Sequence, residues 1–202
     1  MLAALALVLT TQDPKTNDVA KDDRDILTVL FQDRSSKRYL GRKYWSERGT
    51  FWARIKGLAT YSKPSARVLL DNGLKNSESR KQWDTICVIR ENTKDDIEKA
   101  PPPVVPLLEL GLSKDIRFTE HDVALYAKDQ VKYTREISEY LRLSNLIDYP
   151  TPPAYSGSGR YAILTYRFSD IRHGWYSTLV FEKVNGAWKI ILRTPSNWGR
   201  AD

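Results

Sequence analysis

Two histidines limit where acid–base chemistry could sit in this chain. His173 lies in the run Ser169-Asp170-Ile171-Arg172-His173-Gly174, with Ser177 just beyond. An imidazole oriented by a nearby carboxylate can serve as a general base, with a serine elsewhere in the fold as nucleophile. A small hydrolase built this way would use His173 and Asp170. Two features count against it. No Gly-x-Ser-x-Gly elbow occurs, and Ser156-Gly157-Ser158-Gly159 lacks the apolar strand that leads into a nucleophile turn. An Asp and a His on a solvated hairpin loop also cap backbone groups without any catalytic role.

Glu120-His121-Asp122 offers three metal-capable side chains, but consecutive helical residues point in different directions. The triplet reads better as an acidic helix start with Thr119 as its cap. Cys87 is the single cysteine, so an intrachain disulfide and a thiolate metal cluster are both excluded. No carboxylate pair has the spacing that would argue for a glycosidase dyad. No Walker or dinucleotide-binding glycine loop is present. No metal and no cofactor are expected.

The strongest functional signal is the stretch from Arg34 to Lys56. It carries Arg34, Lys37, Arg38, Arg42, Lys43, Arg48, Arg54 and Lys56 against Glu47 alone, a local excess equal to the +7 of the whole chain. Tyr39, Tyr44, Trp45, Phe51 and Trp52 interleave the charges. Cations neutralise phosphates and aromatic rings stack on bases or sugars, so this pattern suits a polyanion. Anionic lipid headgroups, lipopolysaccharide or an acidic protein would meet the same chemistry. The residues named for binding are Arg38, Arg42, Lys43, Tyr44, Trp45 and Arg48. The competing reading puts Trp45, Phe51 and Trp52 in the core with the charges as a solvated rim. No zinc finger, helix-turn-helix or RNP-like motif is present, so nucleic acid is the less favoured partner.

A chain of 202 residues is long enough for one domain with its own core. Its last quarter, Tyr161 to Arg193, reads as a three-stranded antiparallel meander. Asn185-Gly186 supplies the two positive φ values of a type I′ turn. With those as turn residues, Val184 faces Ala187, Lys183 faces Trp188, Phe181 faces Ile190 and Leu179 faces Leu192. On the alternate positions Glu182 faces Lys189, Val180 faces Ile191 and Thr178 faces Arg193. The Phe181/Ile190 and Leu179/Leu192 face is the expected core side, and the Glu182/Lys189 face is expected to be half-solvated.

Upstream, Asp22 reads as the cap of a helix carrying Ile26, Leu27, Leu30 and Phe31 on one face. A second helix is expected around Trp83, Ile86, Cys87 and Ile89, although Ile86-Cys87-Val88-Ile89 also fits a buried strand. Ala66–Asp71, Ile116–Phe118 and Tyr140–Ile147 read as strands. Ala100-Pro101-Pro102-Pro103 and Pro106 stop regular structure, and Tyr149-Pro150-Thr151-Pro152-Pro153 breaks the strand before it. Ser156-Gly157-Ser158-Gly159 forms a tight turn into Tyr161. The apolar run Met1–Leu9 is too short to span a bilayer and is similar to the apolar region of a secretory signal. Residues 1–21 are thus expected to be a signal segment with a solvated linker. Residues 22–202 are expected to form a single α+β domain, with helices packed on a mostly antiparallel sheet.

The C-terminal phrases resemble those of bacterial envelope proteins of unknown function. The matching residues are Ala154 to Tyr166, His173-Gly174, and Val180-Phe181-Glu182-Lys183-Val184-Asn185-Gly186-Ala187-Trp188. The likeness covers Asp96 to Leu192 loosely and the final forty residues well. It departs at Gly157-Ser158-Gly159, where an Asp-Gly turn is usual, and at the loop Asp170 to Gly174. The Asn-Gly-x-Trp ending is also similar to the closing strands of nuclear-transport-factor-2-like cone domains, a likeness of architecture alone. The resemblance implies a secreted α+β domain in the periplasm or outside the cell, and it brings no catalytic residue. Taken together, the favoured reading is a non-enzymatic binding domain whose partner is a protein or an anionic ligand.

Overall fold

The computed structural model describes residues 14–32, 38–41, 45, 47–60, 77–94, 100–114, 116–118, 135, 147–169, 173–194 and 197–200. The first helix, α1, spans Pro14–Phe31. It begins at Pro14 rather than at Asp22, so the stretch 14–21 read as linker is helical. Proline has the φ of a first-turn residue and no N–H to satisfy there, so it suits the first helical position. Asp22 and Asp23 are therefore interior helix positions. The buried residues are Asp23, Ile26, Leu27, Leu30 and Phe31, a 3–4 spacing that forms one stripe. Asp23 lies on that stripe.

Residues 51–60 form a second helix (α2) that was not anticipated from the sequence. Thr50 caps it, its Oγ1 accepting from the Ala53 N–H at 3.2 Å. Phe51, Ile55 and Leu58 are its buried residues. The helix α3, Ser77–Asn92, settles the ambiguity at Ile86-Cys87-Val88-Ile89. Ile86 and Ile89 are buried while Val88 is 55% exposed, a helical spacing that strand alternation would not give. After the extended prolines, a single 3₁₀ turn at Leu107–Leu110 ends on Gly111 with φ +65°.

The sheet contains β1 (Arg38–Leu40), β2 (Ile116–Phe118), β3 (Ile147–Pro150), β4 (Ala154–Tyr155), β5 (Tyr161–Ser169), β6 (His173–Val184), β7 (Ala187–Arg193) and β8 (Asn197–Arg200). The described order is β2-β1-β3-β5-β6-β7, with β4 beside β5 and β8 beside β6. β1 runs parallel to β2 and β3, and the remaining pairs are antiparallel. The architecture is thus α+β around a mostly antiparallel sheet, with the C-terminal meander β5-β6-β7 at one end of the described order. β3 includes Tyr149 and Pro150, which were expected to break a strand. β1 pairs only with Ile147 and Asp148, so the missing N–H of Pro150 falls where no ladder bond is required. The candidate strand Ala66–Asp71, the Thr119–Asp122 helix start and residues 140–146 lie outside the described residues.

The expected turn is present, with φ of 51° at Asn185 and 80° at Gly186. The pairs Val184/Ala187, Lys183/Trp188, Glu182/Lys189 and Phe181/Ile190 are as expected. Beyond them a bulge between Val180 and Phe181 shifts the register, so Val180 faces Leu192 and Leu179 faces Arg193. The extra residue moves Leu192 to the opposite face of the sheet. Both faces consequently carry a core. Ala162, Leu164, Tyr166, Leu179, Phe181 and Trp188 pack with α1, Leu40, Trp45 and the Leu107–Leu110 turn. Tyr161, Ile163, Val180 and Leu192 pack with α2 and α3. The second face was expected to be half-solvated; Lys189 is exposed and Glu182 half-buried at its hairpin end, whereas α2 and α3 cover the rest. Among the described residues, no helix is long and apolar enough to cross a membrane.

Candidate functional site

Two of the six residues named for binding are interior. Trp45 is buried in the first core, and its indole N–H donates to the Val105 carbonyl at 2.7 Å. Arg48 is buried as well, and its donors are spent inside the fold. Nη1 donates to Asp23 Oδ1 at 3.0 Å and to the Pro153 carbonyl at 2.7 Å. Nη2 donates to Asp23 Oδ2 at 2.5 Å, and Nε to the Pro102 carbonyl at 3.1 Å. Neither side chain offers a surface to a ligand. Arg38 is placed by its backbone in β1, opposite Ile116. Its side chain, and Arg42, Lys43 and Tyr44, lie outside the described residues. His173 opens β6, with its backbone opposite Arg200 of β8. Its side chain, Asp170 and the triplet Glu120-His121-Asp122 also lie outside them.

Arg48 is the hub of a network that joins α1 to the proline segments. The Tyr155 hydroxyl donates to Asp23 Oδ1 at 2.6 Å, and the Arg48 guanidinium lies 5.7 Å from the centre of the Tyr155 ring. Burial raises the Asp23 carboxyl above its ordinary value, and the Arg48 and Tyr155 hydrogen bonds oppose that rise. Burial, reinforced by the Asp23 charge, holds the Tyr155 phenol well above its usual value. With Asp23 at 0% exposure, this network is closed to substrate and acts as a staple. Its neighbour Asp22 points to the hairpin instead, accepting from Lys183 Nζ at 2.7 Å and Trp188 Nε1 at 3.0 Å. Adjacent carboxylates on one helix thus hold two different parts of the fold.

A second polar set runs across the sheet on the face covered by α2 and α3. Thr151 and Thr165 exchange backbone and side-chain bonds, Thr151 N to Thr165 O at 2.7 Å and Thr165 N to Thr151 Oγ1 at 3.1 Å. The Thr165 and Thr178 hydroxyls meet at 3.0 Å, and the Thr178 N–H donates to Thr194 Oγ1 at 2.9 Å. These four threonines are half-buried and continue the inward positions of Ile163, Val180 and Leu192. Arg54, from the first turn of α2, donates to Thr151 Oγ1 through Nη1. Burial first, and then the like charge of Arg48, bring Arg54 down to about 10. Hydroxyls and a guanidinium bind and orient anions, but they do not shuttle a proton near neutral pH.

Comparison of the chain with protein-family models, curated proteins and solved structures found no match. The site is therefore defined by its geometry. Two signals in the sequence mark this arrangement. Asp23 stands at the i position of the stripe completed by Ile26, Leu27, Leu30 and Phe31, and a carboxylate on an apolar stripe requires a buried partner. Thr50 followed by Phe51, Ile55 and Leu58 marks a capped helix, which the stacking reading of the aromatics obscured.

Proposed function

We propose that this protein is a non-enzymatic binding domain of the bacterial envelope that engages an anionic ligand or partner through the basic stretch 34–56. One observation carries the reading. Within that stretch, Arg48 is neutralised internally by Asp23, whereas Arg54 and Lys56 have no ion pair among the described residues. Lys56 is exposed. The charge of Arg54 and Lys56, unpaired among the described residues, is what an anionic partner would meet. Cations gathered at one place raise the local concentration of an anionic partner and give binding that weakens with salt. The expected result is salt-dependent retention on an anionic matrix. Replacing Arg38, Arg42 and Lys43 together by Glu should abolish it. Reversing Lys81, Arg90 and Lys94, on and just after α3, should leave most of it. Equal losses from the two sets would reduce the binding to net charge and overturn the assignment to this stretch.

A further inference from the structure

Arg54 is a cation in an unfavourable place. It stands in the first turn of α2, where the helix dipole is positive and acidic side chains are preferred. Its guanidinium lies against the backbone at Gly49, where a Cβ would sit 3.2 Å from Nε. Arg48 adds a second positive charge, and the carboxylate of Asp23 is already engaged with Arg48. Among the described residues the hydrogen-bond partner of Arg54 is a neutral oxygen, Thr151 Oγ1. That oxygen accepts from Arg54 and from the Thr165 N–H, which uses both lone pairs and leaves the hydroxyl proton to be donated. No described residue accepts it. Among the described residues, a half-buried cation with no carboxylate partner is therefore bonded to a hydroxyl whose proton has no acceptor. One oxyanion completes both.

We propose that Arg54 and Thr151 form a subsite for a single phosphate group, carried by a soluble phosphate ester or by a lipid headgroup. This rests on the reading that the basic stretch meets an anionic ligand, and it names the group that takes the charge. With one Nη1 proton committed to Thr151, the guanidinium keeps further donors in a planar fork that matches phosphate oxygens. The Thr151 proton adds a donor from a second direction. Together they address more oxygens than a carboxylate presents.

The test uses the full chain. Inorganic phosphate at ten times its dissociation constant should slow phenylglyoxal modification of Arg54, read by peptide mass spectrometry, about tenfold by occupancy. Chloride at equal ionic strength should leave the rate unchanged. Arg54→Gln should lose the phosphate-dependent rise in melting temperature. In phosphate-free buffer it should match or exceed the wild type, because it removes a half-buried charge that has no carboxylate partner among the described residues. Protection by phosphatidylglycerol vesicles, but not by inorganic phosphate, would place the group on a lipid. Protection by neither probe, or an unchanged phosphate response in Arg54→Gln, overturns the subsite. If the wild type is still retained on an anionic matrix in that case, the subsite alone is lost. If it is not retained, the broader reading is lost with it.

Discussion

Replacing Arg48 by Met tests whether the buried network is electrostatic. Arg48 and Asp23 have side-chain exposures of 2% and 0%, so removing the guanidinium leaves a carboxylate with no route to water. Breaking a buried pair from one side costs about 3–5 kcal/mol. The lost donors to the Pro102 and Pro153 carbonyls fall within that range. The pH dependence separates charge from packing. Asp23 already has a raised value in the folded protein, and Arg48→Met removes the contributions that lower it, so the value must rise further. A carboxyl raised on folding contributes stability that is fully present below its unfolded value of about 3.9. That contribution is lost as pH rises through the folded value. The variant's deficit relative to wild type should therefore shrink on acidification, by up to about 1.4 kcal/mol per pH unit over the window between the two folded values, where Asp23 is protonated in the folded variant and still ionised in the folded wild type. Urea unfolding followed by tryptophan fluorescence at a series of pH values reads this directly. Adding Asp23→Leu should then recover stability at neutral pH, less about 1–3 kcal/mol for the Tyr155 hydroxyl that loses its acceptor. A deficit that is the same at neutral and acid pH would refute the electrostatic account and leave only packing.

Gly41→Ala should destabilise by about 1–3 kcal/mol through overpacking, because a Cβ there would lie 1.9 Å from Cε1 of Tyr149. In a Tyr149→Ala background the same change should cost less, and equal costs in urea unfolding would show that the ring is not the obstacle. The envelope reading predicts that the protein recovered from a bacterial host is processed after the apolar run Met1–Leu9. Intact mass with Met1 retained would end it.

The part of the fold that was legible from sequence is the part fixed by local chemistry. Asn185-Gly186 set the turn, and the turn set the partners of Val184, Lys183, Glu182 and Phe181. Register then failed at the first place where tertiary burial overruled alternation. The run Ile190-Ile191-Leu192 has no polar residue to mark which face is which, and the bulge resolves it by giving Ile190 to the first core and Leu192 to the second. A strand covered on both sides has no reason to alternate, so its pattern cannot announce a bulge. The same limit governs the polar residues. Asp22 looks like a cap in a window that starts at Asp22, and the helix start at Pro14 makes it a tertiary ligand for Lys183 and Trp188. Arg48 and Arg54 are indistinguishable in composition, six positions apart in one basic stretch. What separates them is the carboxylate that α1 brings across the fold to the first and not to the second. The charge count located the basic stretch. Which of its charges is paired internally depends on Asp23, 25 residues away, and is set by the packing of α1 on the sheet.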